Sequence, residues 1–115
     1  MMTPLTNSQY QSEVQNYPGK VILLFTALWD NAGIKTRTFL NTLPANEIHL
    51  ALGDVPPVRL EIFKLFSVNY DTERELVQKF SIRELPEIIS LKAGSVFCIS
   101  FKCETEMELD HMLSI

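Results

Sequence analysis

A chain of 115 residues has room for one hydrophobic core and rarely for two, so a single domain over residues 1–115 is expected. Ten Lys and Arg against 14 Asp and Glu leave a formal charge of −4, and the basic residues are scattered from Lys20 to Lys102, which disfavours direct nucleic-acid binding. At 46% hydrophobic and 21% charged, with four Gly, the composition is that of a globular protein rather than a disordered or fibrous one.

The longest apolar stretch, Val21 to Trp29, is interrupted by Thr26 and falls well short of the about 20 residues that cross a bilayer. Residues 1–19 are polar and lack both early positive charge and an apolar run, so no secretory signal is read there. A cytoplasmic protein with no membrane partner is the expectation. The two cysteines, Cys98 and Cys103, match neither a disulfide framework nor a zinc-ligand set, and no metal or other cofactor is expected.

In chain order, Thr6 or Ser8 caps a first helix over about residues 8–16, with Tyr10, Val14 and Tyr17 on one face and Pro18-Gly19 as its stop. Val21 to Leu28 is continuously apolar and rich in branched and aromatic residues, the pattern of a strand covered on both faces. Asp30 or Asn31 caps a second helix, whose Ile34, Phe39, Leu40 and Leu43 face the core before Pro44. Residues 44–59, with Pro44, Gly53, Pro56 and Pro57, read as a helix turn plus loop.

Leu60 to Tyr70 is strand-like, and Asp71-Thr72 opens a third helix through the capping box Thr72-x-x-Glu75, with Leu76, Val77 and Phe80 inward. Ile88–Leu91 and Val96–Phe101 flank Lys92-Ala93-Gly94-Ser95 as a hairpin. Leu109, Met112 and Leu113 place a closing amphipathic helix over about 104–113. Successive β-α-β segments predict parallel strands and the hairpin an antiparallel pair: an α/β three-layer sandwich with a central mixed sheet flanked by helices.

With the elements in this order, the residues resemble the thioredoxin family over about residues 5–115. Val21 to Leu28 leads to Trp29, as the family's central strand leads to the Trp before its Cys-Gly-Pro-Cys loop. Here that loop reads Asp30-Asn31-Ala32-Gly33. Phe66 to Asp71 resembles the family's third strand with its Asn-x-Asp ending. Ile82-Arg83-Glu84-Leu85-Pro86-Glu87 resembles the segment that holds its cis-proline, and Lys92-Ala93-Gly94 its hairpin. Trp29-Asp30 with Lys35 and Leu40 is also similar to the spliceosomal thioredoxin-fold group, which would imply a structural subunit.

The resemblance implies a thioredoxin-like superfamily member without the Cys-x-x-Cys motif. Dithiol exchange needs a thiolate at the helix N-terminus and a second Cys three residues on. Asp30 and Gly33 stand there, and Leu24 occupies the place of the family's proton-handling Asp. Between Trp29 and Asp71 the chain is also longer than the family norm, the excess falling in the Pro-rich stretch 44–59.

Asp30 reads as a helix cap worth about 0.5 to 2 kcal/mol, with Asn31 an alternative cap. Trp29 is either a hot-spot contact for a partner or a partly buried packing residue. A cis Pro86 would leave the Leu85 backbone free to pair with an extended peptide; otherwise the turn only supports the fold. Cys98 and Cys103 are inert packing residues or, alternatively, a redox pair. His49 and His111 have no ligand partners at useful spacing. The expected function is a non-enzymatic, redox-inactive adaptor binding a protein or peptide through Trp29, Asp30, Asn31, Ala32, Gly33, Leu85 and Pro86. The alternatives are a thiol sensor using Cys98 and Cys103, or a structural subunit.

Overall fold

The computed structural model describes residues 2–42, 46–52, 59–100 and 103–114. Strand β1 is Thr3–Pro4, and helix α1, Asn7–Tyr10, runs on into a π turn over Gln11–Gln15. Then come β2 (Lys20–Thr26), α2 (Ile34–Asn41), β3 (Asn46–Leu52), β4 (Arg59–Asn69) and α3 (Arg74–Lys79). The hairpin strands β5 (Glu87–Lys92) and β6 (Ser95–Ser100) precede α4 (Glu106–Ser114).

The six strands form one mixed sheet in the order β1-β4-β2-β5-β6, with β3 also on β4. β2 lies between β4, its parallel neighbour, and β5, its antiparallel one, so both its edges are hydrogen-bonded. Its side chains alternate between two cores. Ile22 and Leu24 pack with Leu40 of α2 and with Leu109, Met112 and Leu113 of α4. Val21, Leu23 and Phe25 pack with Tyr10 of α1, Val14 of the π turn, and Leu76 and Val77 of α3. A helical layer therefore covers each face, which is why every position from Val21 to Phe25 is apolar and buried. Each such side chain contributes about 1.5 to 3 kcal/mol on burial.

The hairpin has the turn chemistry its sequence implies: Ala93 and Gly94 have φ of 51° and 80°, the positive values that match a two-residue turn to the twist of its strands. A side chain at Gly94 would also stand 2.7 Å from the Gln15 carbonyl oxygen. The closing helix buries Leu109, Met112 and Leu113 as expected. Its start carries a reciprocal cap not read from sequence: Thr105 Oγ1 accepts the Glu108 N–H at 3.2 Å, and Glu108 Oε1 accepts the Glu104 N–H at 3.1 Å.

The structure corrects several expectations. Within 44–59, read as a helix turn plus loop, Asn46–Leu52 is a strand antiparallel to the first part of β4; residues 43–45 and 53–58 lie outside the described ones. β1, a two-residue strand with no sequence signal, pairs with β4 at Phe66 and Ser67, beyond the reach of β3. The predicted Thr72–Glu75 box does not cap α3, which starts at Arg74 after Glu73. The first helix becomes a π turn from Gln11 instead of continuing as regular α-helix to residue 16. β2 ends at Thr26, two residues short of Leu28.

The connection from β4 through α3 does not make a parallel pair either. A six-residue helix spans only about 9 Å. The chain therefore re-enters the sheet at the end it has just left, with Glu87 beside Phe25, and β5 runs antiparallel to β2.

Candidate functional site

The stretch from Ala27 to Ile34 leaves the sheet at the carboxyl end of β2 and folds back to start α2. Asp30 N–H donates to the Ala27 carbonyl at 3.1 Å, closing a turn that leaves Leu28 97% and Trp29 59% exposed. Trp29 is fixed along one edge: its indole N–H donates to Asp71 Oδ2 at 2.9 Å, and its ring meets Tyr70 edge-on at 5.9 Å. Arg74 braces that contact from behind, with its guanidinium 4.6 Å from the Tyr70 ring centroid and a hydrogen bond to the Tyr70 carbonyl. The ring is thus held in place yet remains mostly in solvent, combining an anchored edge with a free face.

Asp30, read from sequence as a helix cap, is buried, only 4% exposed. Its Oδ1 accepts the Gly33 N–H at 3.0 Å, while Oδ2 is buried without a hydrogen-bond partner among the described residues. The N-cap residue of α2 is Gly33, and Asp30 supports the helix from three positions upstream. Asn31 is not the side-chain cap; its carbonyl accepts the Ile34 N–H at 3.4 Å, and both Asn31 and Ala32 face solvent.

Gly33 joins the loop to the Pro86 turn. A Cβ at this position would lie 2.2 Å from Asp30 Oδ2 and 3.0 Å from Pro86 Cβ, so the loop backbone seats directly on the buried proline ring. The Leu85–Pro86 peptide is cis. Leu85 packs its side chain against the core on the α1 and α3 face, and among the described residues its N–H and carbonyl make no hydrogen bond. The structure therefore brings the loop 29–33 and the turn 85–86 together.

Two exposed apolar residues flank the loop in sequence, Leu28 before Trp29 and Ile34 after Gly33. Leu28 was read as the end of the strand and Ile34 as a core residue of the second helix, yet Ile34 is 49% exposed. The only sequence clue was an apolar run longer than one strand needs. Past the turn, burial holds the Glu87 carboxyl above its ordinary value, and the neighbouring Glu84 adds to the effect.

The cysteines lie elsewhere. Cys98 is half-buried on β6, while Cys103 is buried just before α4; both are free thiols, and Cys98 packs against the core cluster that contains Cys103. Burial, reinforced by Glu108, pushes the Cys103 thiol up to about 12, which keeps it protonated and unreactive near neutrality. Leu24 is fully buried in the same cluster and is paired in register with Ser67. His111 is exposed on α4, and His49 lies on β3. Among the described residues no three His, Cys, Asp or Glu side chains are grouped to hold a metal ion, and no helix is long and apolar enough to cross a membrane.

No protein-family model matches the chain, and no curated protein matches its sequence. Solved structures do resemble it. The crystal structure of Trxlp from Edwardsiella tarda EIB202 superposes with a TM-score of 0.69 at 18% identity, covering 97% of this chain and 98% of that one. Thioredoxin from Malassezia sympodialis (Mala s 13) gives 0.68 at 15% identity, covering 99% and 88%. At such identities the likeness is one of architecture, and with the mixed sheet, the two helical layers and the loop seated on Pro86 it establishes that this chain has a thioredoxin-like fold.

Proposed function

We propose that the protein is a redox-inactive, single-domain thioredoxin-fold adaptor that binds an extended protein or peptide segment across the Trp29–Gly33 loop and the Leu85–Pro86 turn. One observation carries the reading: the Gly33 backbone sits against Pro86, in a stretch that exposes three apolar side chains, Leu28, Trp29 and Ile34, and the Leu85 peptide group next to Pro86 makes no hydrogen bond among the described residues. An extended ligand would satisfy Leu85 by strand addition and lay side chains on the apolar ledge. Trp at such a ledge supplies large contact area at low entropic cost. No thiol in this surface can act as nucleophile, which supports a binding role rather than an enzymatic one. The partner is a protein or peptide with apolar side chains, in the cytoplasm.

Selection of a displayed peptide library on the full chain tests the binding role. Selected peptides are expected to lose affinity for Trp29→Ala and for Ile34→Asp, two exposed positions whose replacement spares the core. Peptides that bind both variants as tightly as the parent would place recognition elsewhere. An insulin-reduction assay tests inactivity, where turnover comparable to an ordinary thioredoxin would overturn it.

A further inference from the structure

Leu28 also lines a cavity of about 310 Å³ that the loop and turn do not use. It opens beyond the carboxyl ends of the parallel strands β2 and β4, reached by Thr26 from one and by Ser67 and Asn69 from the other. In sheets flanked by helices, the crevice outside the carboxyl ends of parallel strands is the usual seat of small ligands.

Two opposite charges stand in its walls without pairing. Arg37 reaches over from α2, and its Nη1 donates to Thr26 Oγ1 at 3.1 Å and to the Ala27 carbonyl. Those bonds aim the guanidinium while leaving its other N–H groups without an acceptor among the described residues. Glu73, just before α3, accepts the Asn7 N–H on Oε1 at 3.0 Å and the Thr72 hydroxyl on Oε2 at 3.2 Å. Neither group forms an ion pair among the described residues, with each other or with any third residue. Among the described residues each charge is therefore held by neutral partners, and both residues line the cavity.

We propose that this cavity binds a small zwitterion, an α-amino acid or a short peptide with an apolar side chain, whose carboxylate meets Arg37 and whose ammonium meets Glu73. The planar guanidinium fork suits a carboxylate. A phosphate dianion would face the Glu73 carboxylate, and a simple cation would face Arg37, so a ligand carrying both charges is the one that neither wall repels. Pro4, Leu5 and Leu28 supply an apolar rim for its side chain. The volume, at the low end of the roughly 300 to 1,000 Å³ of ligand pockets, suits an amino acid or dipeptide and not a nucleotide.

The test titrates the full ¹⁵N-labelled chain with leucine, leucyl-leucine, N-acetylleucine and leucine amide, following the amide resonances of Thr26, Leu28 and Asn69. Leucine or leucyl-leucine should shift them saturably, and whichever binds more tightly identifies the free amino acid or the peptide as the natural form. Each blocked analogue, lacking one charge, should bind at least about tenfold more weakly, equivalent to about 1.4 kcal/mol. Arg37→Gln and Glu73→Gln should each weaken binding by a similar factor. Should Arg37→Gln fail to fold, the blocked analogues on the parent protein still decide. Equal binding of blocked and free forms, or no saturable shift with either zwitterion, overturns the proposal.

Discussion

The Asp30 carboxylate fills the space where a side chain on Gly33 would stand: Oδ1 accepts the Gly33 N–H at 3.0 Å, and Oδ2 lies 2.2 Å from an ideal Gly33 Cβ. The two positions that would carry thiols in a dithiol loop are thus locked together by one buried carboxylate and one missing side chain. Gly33 has φ of −92°, so its value here is spatial and not conformational. Gly33→Ala is expected to force the Asp30 carboxylate out of place and press on Pro86, lowering stability by about 1 to 3 kcal/mol as overpacking does. Asp30→Ala loses the Gly33 hydrogen bond. The double variant should be less destabilised than the sum of the two, because removing the carboxylate makes room for the methyl group. Urea denaturation of the four proteins measures the coupling, and strict additivity would contradict the packing argument.

Trp29 is the only tryptophan, so its fluorescence reports on the proposed binding surface alone. With 59% of its surface exposed, it should emit as a solvated indole in the free protein and shift to shorter wavelength when a peptide covers it. Asp71→Ala removes the indole's acceptor at 2.9 Å and should loosen the ring, raising its dynamic quenching by iodide while changing the melting temperature little. Unchanged quenching in that variant would mean that Tyr70 and Arg74 hold the ring without the hydrogen bond.

Much of the fold was legible wherever burial writes a continuous or periodic pattern. The run Val21–Phe25 announces a central strand because both faces are covered, and Lys92 to Ser95 announces the hairpin because Ala93 and Gly94 must take positive φ. β3 was hidden. Ile48, Leu50 and Leu52 alternate as a strand should, but Pro44, Gly53, Pro56 and Pro57 crowd the same stretch and argue for a loop. β1 was beyond reach, since two residues carry no period and their pairing depends on β4 extending past β3. At the site, the loop and Pro86 were both visible, but the burial of Asp30 and the exposure of Leu28 and Ile34 depend on where the chain turns after Thr26. Arg37 and Glu73 share a cavity only through the sheet's topology, and no local pattern relates them.

Cys103 gives a pH dependence with a definite sign. Burial raises its thiol from the ordinary 9.0 to about 12, so the folded chain retains a proton there that the unfolded chain gives up above about pH 9. Below that pH the contribution to stability is fully present; between about 9 and about 12 it is lost as pH rises. Burial also raises the Tyr10 hydroxyl, which adds to the loss in the same direction. Comparing the parent with Cys103→Ala isolates the thiol: the variant should start less stable, because a buried side chain has been trimmed, but should lose less on going from pH 8 to pH 11. Parallel loss in both proteins would mean that the Cys103 thiol carries no part of the alkaline effect. At pH 8, Cys103 should resist alkylation until the protein is unfolded.

Restoring thiols to the loop separates the architecture from the chemistry. In Asp30→Cys/Gly33→Cys the carboxylate that excludes a Cβ at position 33 is gone, leaving Pro86 Cβ at 3.0 Å as the remaining tight neighbour, a contact that a few tenths of an ångström of movement relieves. The new thiols would stand just ahead of α2, where the helix N-terminus favours a thiolate. A disulfide between them should therefore form on mild oxidation. Catalysis should remain poor, because turnover also needs a group to exchange protons with the second thiol, and the side chain at the corresponding place on β2 is Leu24, fully buried among Ile22, Leu65 and Ile88. The variant should thus be titratable by dithiothreitol as a reversible dithiol yet reduce insulin far more slowly than an ordinary thioredoxin. Rapid insulin reduction would show that two loop cysteines suffice for turnover on this fold without a carboxylate at position 24.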